Sequence, residues 1–167
     1  MNILFENEYI LTKELNLEIT KPLISKAYKI VWYLSAILSF CFAIFAYKVA
    51  QNTIYTIIFL LGVVYFIAVA LNAYKLNGKI SYKQKQAINN YETLKRITYF
   101  YDDKIEAISA NGGKTIMFYK KIKKIYNTKN CLVLYNEDKV ALAIKKDSFI
   151  KGTYEDFDTF IFSKLNM

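Results

Sequence analysis

IVWYLSAILSFCFAIFAY, residues 30–47, holds 18 positions without a charge, and TIYTIIFLLGVVYFIAVALNAY, residues 53–74, follows almost at once. At about 1.5 Å rise per residue the first run covers roughly 27 Å as a helix, close to the hydrocarbon thickness of a bilayer. A charge at the centre of such a helix costs on the order of 3 kcal/mol, and neither run carries one. Neither shows the polar face of a helix on a soluble protein's surface. The stretch therefore reads as a two-helix transmembrane hairpin over residues 30–74, with spans at about 30–48 and 53–74 and a turn at Gln51-Asn52. The alternative is a helical hairpin buried inside a soluble protein. A cleaved signal peptide is not expected, because the first run lacks a small-x-small cleavage pattern and a second span follows it.

Lysines set the expected orientation. Lys21, Lys26 and Lys29 precede the first span, and Lys75, Lys79, Lys83 and Lys85 follow the second, while the connection holds only Lys48. An excess of lysine on the non-translocated side places both termini in the cytoplasm and the protein in the cell membrane with two passes. Trp32, Tyr33, Tyr47, Tyr55 and Tyr74 stand where interfacial aromatics are expected.

Of 167 residues, those outside the hairpin suffice for one small domain. The net charge of +9 divides almost evenly about residue 90, and the N-terminal share comes mostly from the juxtamembrane lysines. Attraction of these to anionic lipid, about 1 kcal/mol per residue near the surface, is their simplest use, and no nucleic-acid partner is expected. The chain has no histidine, which removes the commonest general base and the commonest metal ligand together. Cys41 lies in the first span and Cys131 in an expected strand, so no disulfide is expected.

Three segments flank the hairpin. Residues 1–29 hold a short strand within 1–11, with Ile3, Phe5 and Tyr9 on one face, then an amphipathic stretch. There Leu15, Ile19, Leu23 and Ala27 recur at intervals of four, and Pro22 divides or kinks it. That helix either lies in the membrane interface or packs on the domain. Residues 75–93 form a basic helical linker, with Asn77-Gly78 ending the second span or bending the chain. From Leu94 the apolar period becomes two, and residues 94–167 read as the cytoplasmic domain. Strands are expected at 94–101, 104–110, 114–119, 132–135 and 140–144, with a turn or strand at 120–125. Asn111-Gly112-Gly113 and Asn136–Lys139 are hairpin turns. Thr153 with Asp156 starts a last helix whose Phe157, Phe160, Ile161 and Leu165 cover the sheet. The fold class is an α+β membrane protein: a transmembrane hairpin plus a small antiparallel sheet domain with a C-terminal helix. The element order is analogous to that of pleckstrin-homology-like barrels, an analogy that carries no function.

The wording of the chain resembles the YcxB-like family of bacterial membrane proteins. The resemblance is carried by Tyr99-Phe100-Tyr101-Asp102-Asp103-Lys104-Ile105 and by Phe118-Tyr119-Lys120-Lys121-Ile122-Lys123-Lys124-Ile125-Tyr126. It continues through Leu132-Val133-Leu134-Tyr135, Ile144-Lys145-Lys146-Asp147-Ser148-Phe149 and Phe157-Asp158-Thr159-Phe160. The resemblance implies a short N-terminal segment, two adjacent spans and this terminal domain, over nearly the whole chain. It brings no catalytic residues with it. The family's proline after the isoleucine of the "Ile-Pro-Lys" strand end is absent, since Lys145 follows Ile144.

The search for chemistry yields no catalytic centre, cofactor site or metal site, and the chain is not expected to be an enzyme. Asp102-Asp103 and Glu137-Asp138 are adjacent acids in turns, where solvation explains them. Ser109, Ser148 and Ser163 have no histidine to activate them, and Cys131 sits among apolar residues. What remains is a basic cluster of Lys120, Lys121, Lys123 and Lys124, with Lys145 and Lys146 ending a later strand. It either faces lipid headgroups or an acidic partner, or protects a sheet edge from aggregation. The expected function is a membrane-anchored binding or regulatory module with a protein partner or self-association. The alternative is a component of an oligomeric membrane assembly, a transport or channel accessory.

Overall fold

The computed structural model describes residues 2–90 and 92–165. Met1, Tyr91, Asn166 and Met167, which fall in the expected terminal and linker segments, lie outside the described residues. In chain order the elements are β1 (Phe5–Ile10), α1 (Lys13–Leu23), α2 (Lys26–Lys48), α3 (Thr53–Ile88), β2 (Lys95–Phe100), β3 (Lys104–Ser109), β4 (Lys114–Phe118), a 3-10 turn (Tyr119–Lys121), β5 (Ile122–Asn127), β6 (Cys131–Asn136), β7 (Ala141–Lys145), β8 (Phe149–Lys151) and α4 (Tyr154–Leu165). Two compact units result. Thr20–Gly78 forms one, and the residues up to Ile19 together with those from Lys79 onward form the other.

The first unit is the apolar hairpin. Ser25 caps α2 by accepting from the Tyr28 N–H at 3.1 Å, so the helix begins four residues before the uncharged run. Asn52 caps α3 in the same way, accepting from the Tyr55 N–H at 3.1 Å. Small residues line the inner face: Ala36, Ser39, Ala43 and Ala46 are buried on α2, and Ala70 and Ala73 on α3. Outward side chains such as Ile54, Leu61 and Val64 stay more than 60% exposed. Both helices are long and apolar enough to cross a membrane, and their most apolar windows are only 22% and 6% buried. The apolar surface of the hairpin is thus largely uncovered by the rest of the chain.

Pro22 falls in the last turn of α1, and the chain breaks at residues 24–25, so the amphipathic stretch is two helices. Leu15 and Ile19 are buried, which places the first half of α1 on the sheet unit. Glu18 fastens it there: its two carboxylate oxygens accept from the Asn130 backbone N–H and Nδ2, both at 2.7 Å. Burial works against that charge, but the bonds from Asn130 and Thr128 outweigh it and hold the carboxyl below its ordinary range.

The second unit holds two antiparallel sheets, ordered β4-β3-β2-β1-β8 and β5-β6-β7. β1 is an inner strand: Phe5 to Ile10 pair with Phe100 to Lys95, and Glu6 and Asn7 pair with Lys151 and Phe149. Period two sends Phe5, Asn7 and Tyr9 inward, opposite Phe100, Thr98 and Arg96. Ile3, expected on this face, precedes the strand. The core comprises Phe100, Ile105, Met117, Tyr119, Leu132, Leu134, Ile144, Phe157 and Ile161. α4 supplies Phe157, Phe160, Ile161 and Leu165 to it, as their spacing requires. Thr153 caps this helix, accepting from the Asp156 N–H at 3.2 Å.

One expectation is corrected, one is resolved and one element is added. α3 runs through Asn77-Gly78 to Ile88, so most of the stretch read as a linker is the end of a helix that contributes to the sheet unit. Residues 120–125, read as a turn or strand, hold both: the 3-10 turn and then most of β5. β8 is an additional strand that the sequence reading does not contain.

Candidate functional site

Four lysines lie on α3 beyond Tyr74. At 3.6 residues per turn, Lys75, Lys79 and Lys83 form one stripe, and Lys85 falls on the opposite side of the helix. Lys79 and Lys83 are exposed, whereas Lys85 is half-buried. Its ammonium donates to Asn16 Oδ1 at 2.7 Å, and Asn16 is itself fully buried on α1. Lys85 stands eleven residues beyond Tyr74, the end of the uncharged run, and so outside the apolar span. Burial pushes its pKa down to about 8, and the nearby Arg96 guanidinium pushes the same way.

Arg96 is there because β2 alternates. Thr98 and Phe100 are buried on its inner face, and Arg96 is the next inward position, opposite Tyr9 on β1. Tyr9 is buried, and its hydroxyl donates to the Ala143 carbonyl on β7 at 3.1 Å. Burial raises the phenol above its ordinary range, so it stays a neutral donor. Tyr9, Lys85, Arg96, Thr98 and Thr115 line a cavity of about 230 Å³ closed on another side by the edge of β7. No Asp or Glu lines it. Among the described residues, no carboxylate lies within ion-pair distance of Lys85 or Arg96. Two cations therefore converge on one concavity without a counter-charge.

The basic cluster expected at Lys120, Lys121, Lys123 and Lys124 is differently arranged. Lys120 and Lys121 lie on the 3-10 turn, and Lys123 and Lys124 sit at a bulge in β5 that leaves both exposed. Lys121 pairs with Glu137 at 3.7 Å and Asp138 at 3.5 Å, and Lys123 reaches Glu137 at 4.0 Å. Lys145 pairs with Asp147 at 2.9 Å, and Lys146 donates to Asn127 Oδ1 at 2.6 Å and the Thr128 carbonyl at 2.7 Å. Ile122 pairs with Asn136 while Cys131 pairs with Lys145, so the two lysine groups lie at opposite ends of the three-stranded sheet. The structure does not gather the six into one face.

Of the adjacent acids, Asp102 accepts from Lys164 at 2.7 Å, and Glu137 and Asp138 answer Lys121. Cys131 is buried, and burial pushes its thiol up to about 12, which suits a core residue and not a nucleophile. Sequence reading placed Lys85 with the lipid-facing lysines and did not single out Arg96. The signal for Arg96 was present, since period two from Leu94 sets it on the same face as Thr98 and Phe100.

These observations define an α+β protein in which two helices, long and apolar enough to cross a membrane, are inserted into an antiparallel sheet unit. Residues 100–161 match the family model described as YcxB-like protein. The match runs from the end of β2 into α4, so β1, α1 and the apolar hairpin lie outside it. Neither the curated proteins nor the solved structures contain a match to the chain.

Proposed function

We propose that this protein is a non-catalytic, membrane-anchored binding module that holds its sheet unit at the cytoplasmic face of the cell membrane. The observation that carries the reading is topological. The apolar hairpin is inserted between β1 and β2, two strands that pair along their whole length. The five-stranded sheet thus takes strands from both sides of the hairpin, which ties the anchor into the sequence of the domain. Lysines on both flanks of the hairpin support the cytoplasmic assignment. The sheet unit also keeps Ile116 and Phe118 about half exposed on its outer face and presents the cationic cavity described above.

An oligomeric assembly is the less supported reading, because the small-residue seam that favours close helix approach is already used inside the hairpin. The test is photo-crosslinking in cells, with a photoreactive residue at Ile116 of the sheet unit or at Leu61 of the hairpin in the full chain. Heterologous adducts from Ile116 are the expected result. Self-adducts from Leu61, with none from Ile116, would transfer the assignment to an oligomeric membrane assembly.

A further inference from the structure

We infer that the cavity between β2, β7 and the end of α3 binds a phosphate-monoester group through Lys85 and Arg96. The inference rests on the binding-module reading and gives it a ligand chemistry. Charge is the first argument. A half-buried ammonium and a guanidinium line one cavity that contains no carboxylate among the described residues, and holding two like charges together away from water is unfavourable until an anion joins them. A phosphate monoester brings about 1.5 to 2 negative charges at neutral pH and matches the pair, whereas a carboxylate brings only one.

Shape is the second argument. The arginine fork meets two phosphate oxygens at once, and the lysine acts as a point charge on a third. Thr98 and Thr115 line the same cavity, and a threonine hydroxyl is a neutral donor. The volume of about 230 Å³ admits a phosphate with a few attached atoms and is below that of a typical whole-cofactor pocket. The remaining walls include Leu11, Ile19 and Ile97, which suit an aliphatic group next to the phosphate. Two sources carry this chemistry, a lipid headgroup ending in a phosphate monoester and a small soluble phosphate ester.

The full chain in neutral detergent is titrated with inorganic phosphate at constant ionic strength, and the thermal midpoint is read with ³¹P line width as a second measure of binding. A saturable rise in the midpoint is expected, with the apparent affinity weakened about tenfold by Lys85→Gln and by Arg96→Gln. Arg96→Lys, which keeps the charge and loses the fork, should fall between them and the parent. Lys120→Gln with Lys124→Gln should bind as the parent does. No response by about 10 mM phosphate, where a millimolar site is filled, would overturn the inference. So would an equal response from the parent and the two pocket variants.

Short-chain phosphatidic acid and glycerol phosphate separate the sources. At least tenfold tighter binding of the first identifies a lipid headgroup, and equal or tighter binding of the second identifies a soluble ester. A chain that ignores phosphate yet still gives heterologous adducts from Ile116 would remove this site and leave the binding module standing. Phosphate binding without those adducts would do the reverse.

Discussion

Asn7 completes the free edge of β7 with a side chain in place of a strand. Its Nδ2 donates to the Lys145 carbonyl at 2.8 Å, and its Oδ1 accepts from the Lys145 N–H at 3.2 Å. A proline at residue 145 would have no N–H to give, so lysine at that position and asparagine at residue 7 fit each other. Asn7→Ala leaves a buried donor and acceptor unpaired and should cost about 2–4 kcal/mol in urea unfolding, whereas Thr159→Ala at an exposed position should cost little. Gly152 is a second such position. Its φ is +81°, and an added Cβ would lie 2.4 Å from Phe5 Cδ1 in the core, so Gly152→Ala should cost about 2 kcal/mol or more in the same assay.

Lys85 gives a prediction with a sign. Its folded-state pKa of about 8 lies below the ordinary lysine value of 10.5, so the unfolded chain binds more protons between those values. Stability should therefore rise from pH 8 towards pH 10.5 relative to Lys85→Gln, and phosphate should flatten that rise if it fills the cavity. Arg96 stays charged throughout this window and Asn16 is neutral, while Tyr9 is held above its usual value, so Lys85 dominates the difference. Denaturant midpoints of the two chains across this range measure it.

At the scale of elements, the hairpin turns on one contact. Ser39 Oγ donates to the Phe59 carbonyl at 2.8 Å, and a Cβ on Gly62 would come within 2.7 Å of Ser39 Oγ. Gly62→Ala should cost about 1 kcal/mol, because the Ser39 side chain can rotate away at the loss of its bond, and Gly62→Leu should separate the helices. Trp32 is the chain's single tryptophan and lies 5.9 Å from Phe66, so its fluorescence on heating in detergent reads the hairpin directly.

Elements of this kind were legible because their signals are local. An uncharged run names a span, Thr153 with Asp156 names a helix start, and Asn111-Gly112 names a turn, where Gly112 indeed has φ +78°. What stayed hidden was non-local or too short. β8 has three residues, fewer than a period needs to show, and it exists because β1 offers Glu6 and Asn7 as partners. Asn77-Gly78 carries a stop signal worth about 1 kcal/mol, which the continuing helix outweighs. Lys85 looks like any juxtamembrane lysine until α1 and β2 are folded against it.

The whole molecule depends on a pairing across the hairpin. β1 lies between β2 and β8, and it brings Phe5 against Phe157 at 5.6 Å and Phe160 at 5.2 Å between ring centroids. Without β1, the full length of β2 becomes an open edge, and β7 loses the side chains of Asn7 and Tyr9 that satisfy its outer backbone groups. Residues 92–165 alone, though they contain the whole YcxB-like stretch, should therefore fail to unfold cooperatively and should expose apolar surface. A peptide of residues 2–12 added in excess should restore a cooperative transition, with a midpoint that rises with peptide concentration as linkage requires. A fragment that unfolds cooperatively without the peptide would show that β1 only decorates a self-sufficient domain, and that the hairpin is an attachment to the fold and not an insertion within it.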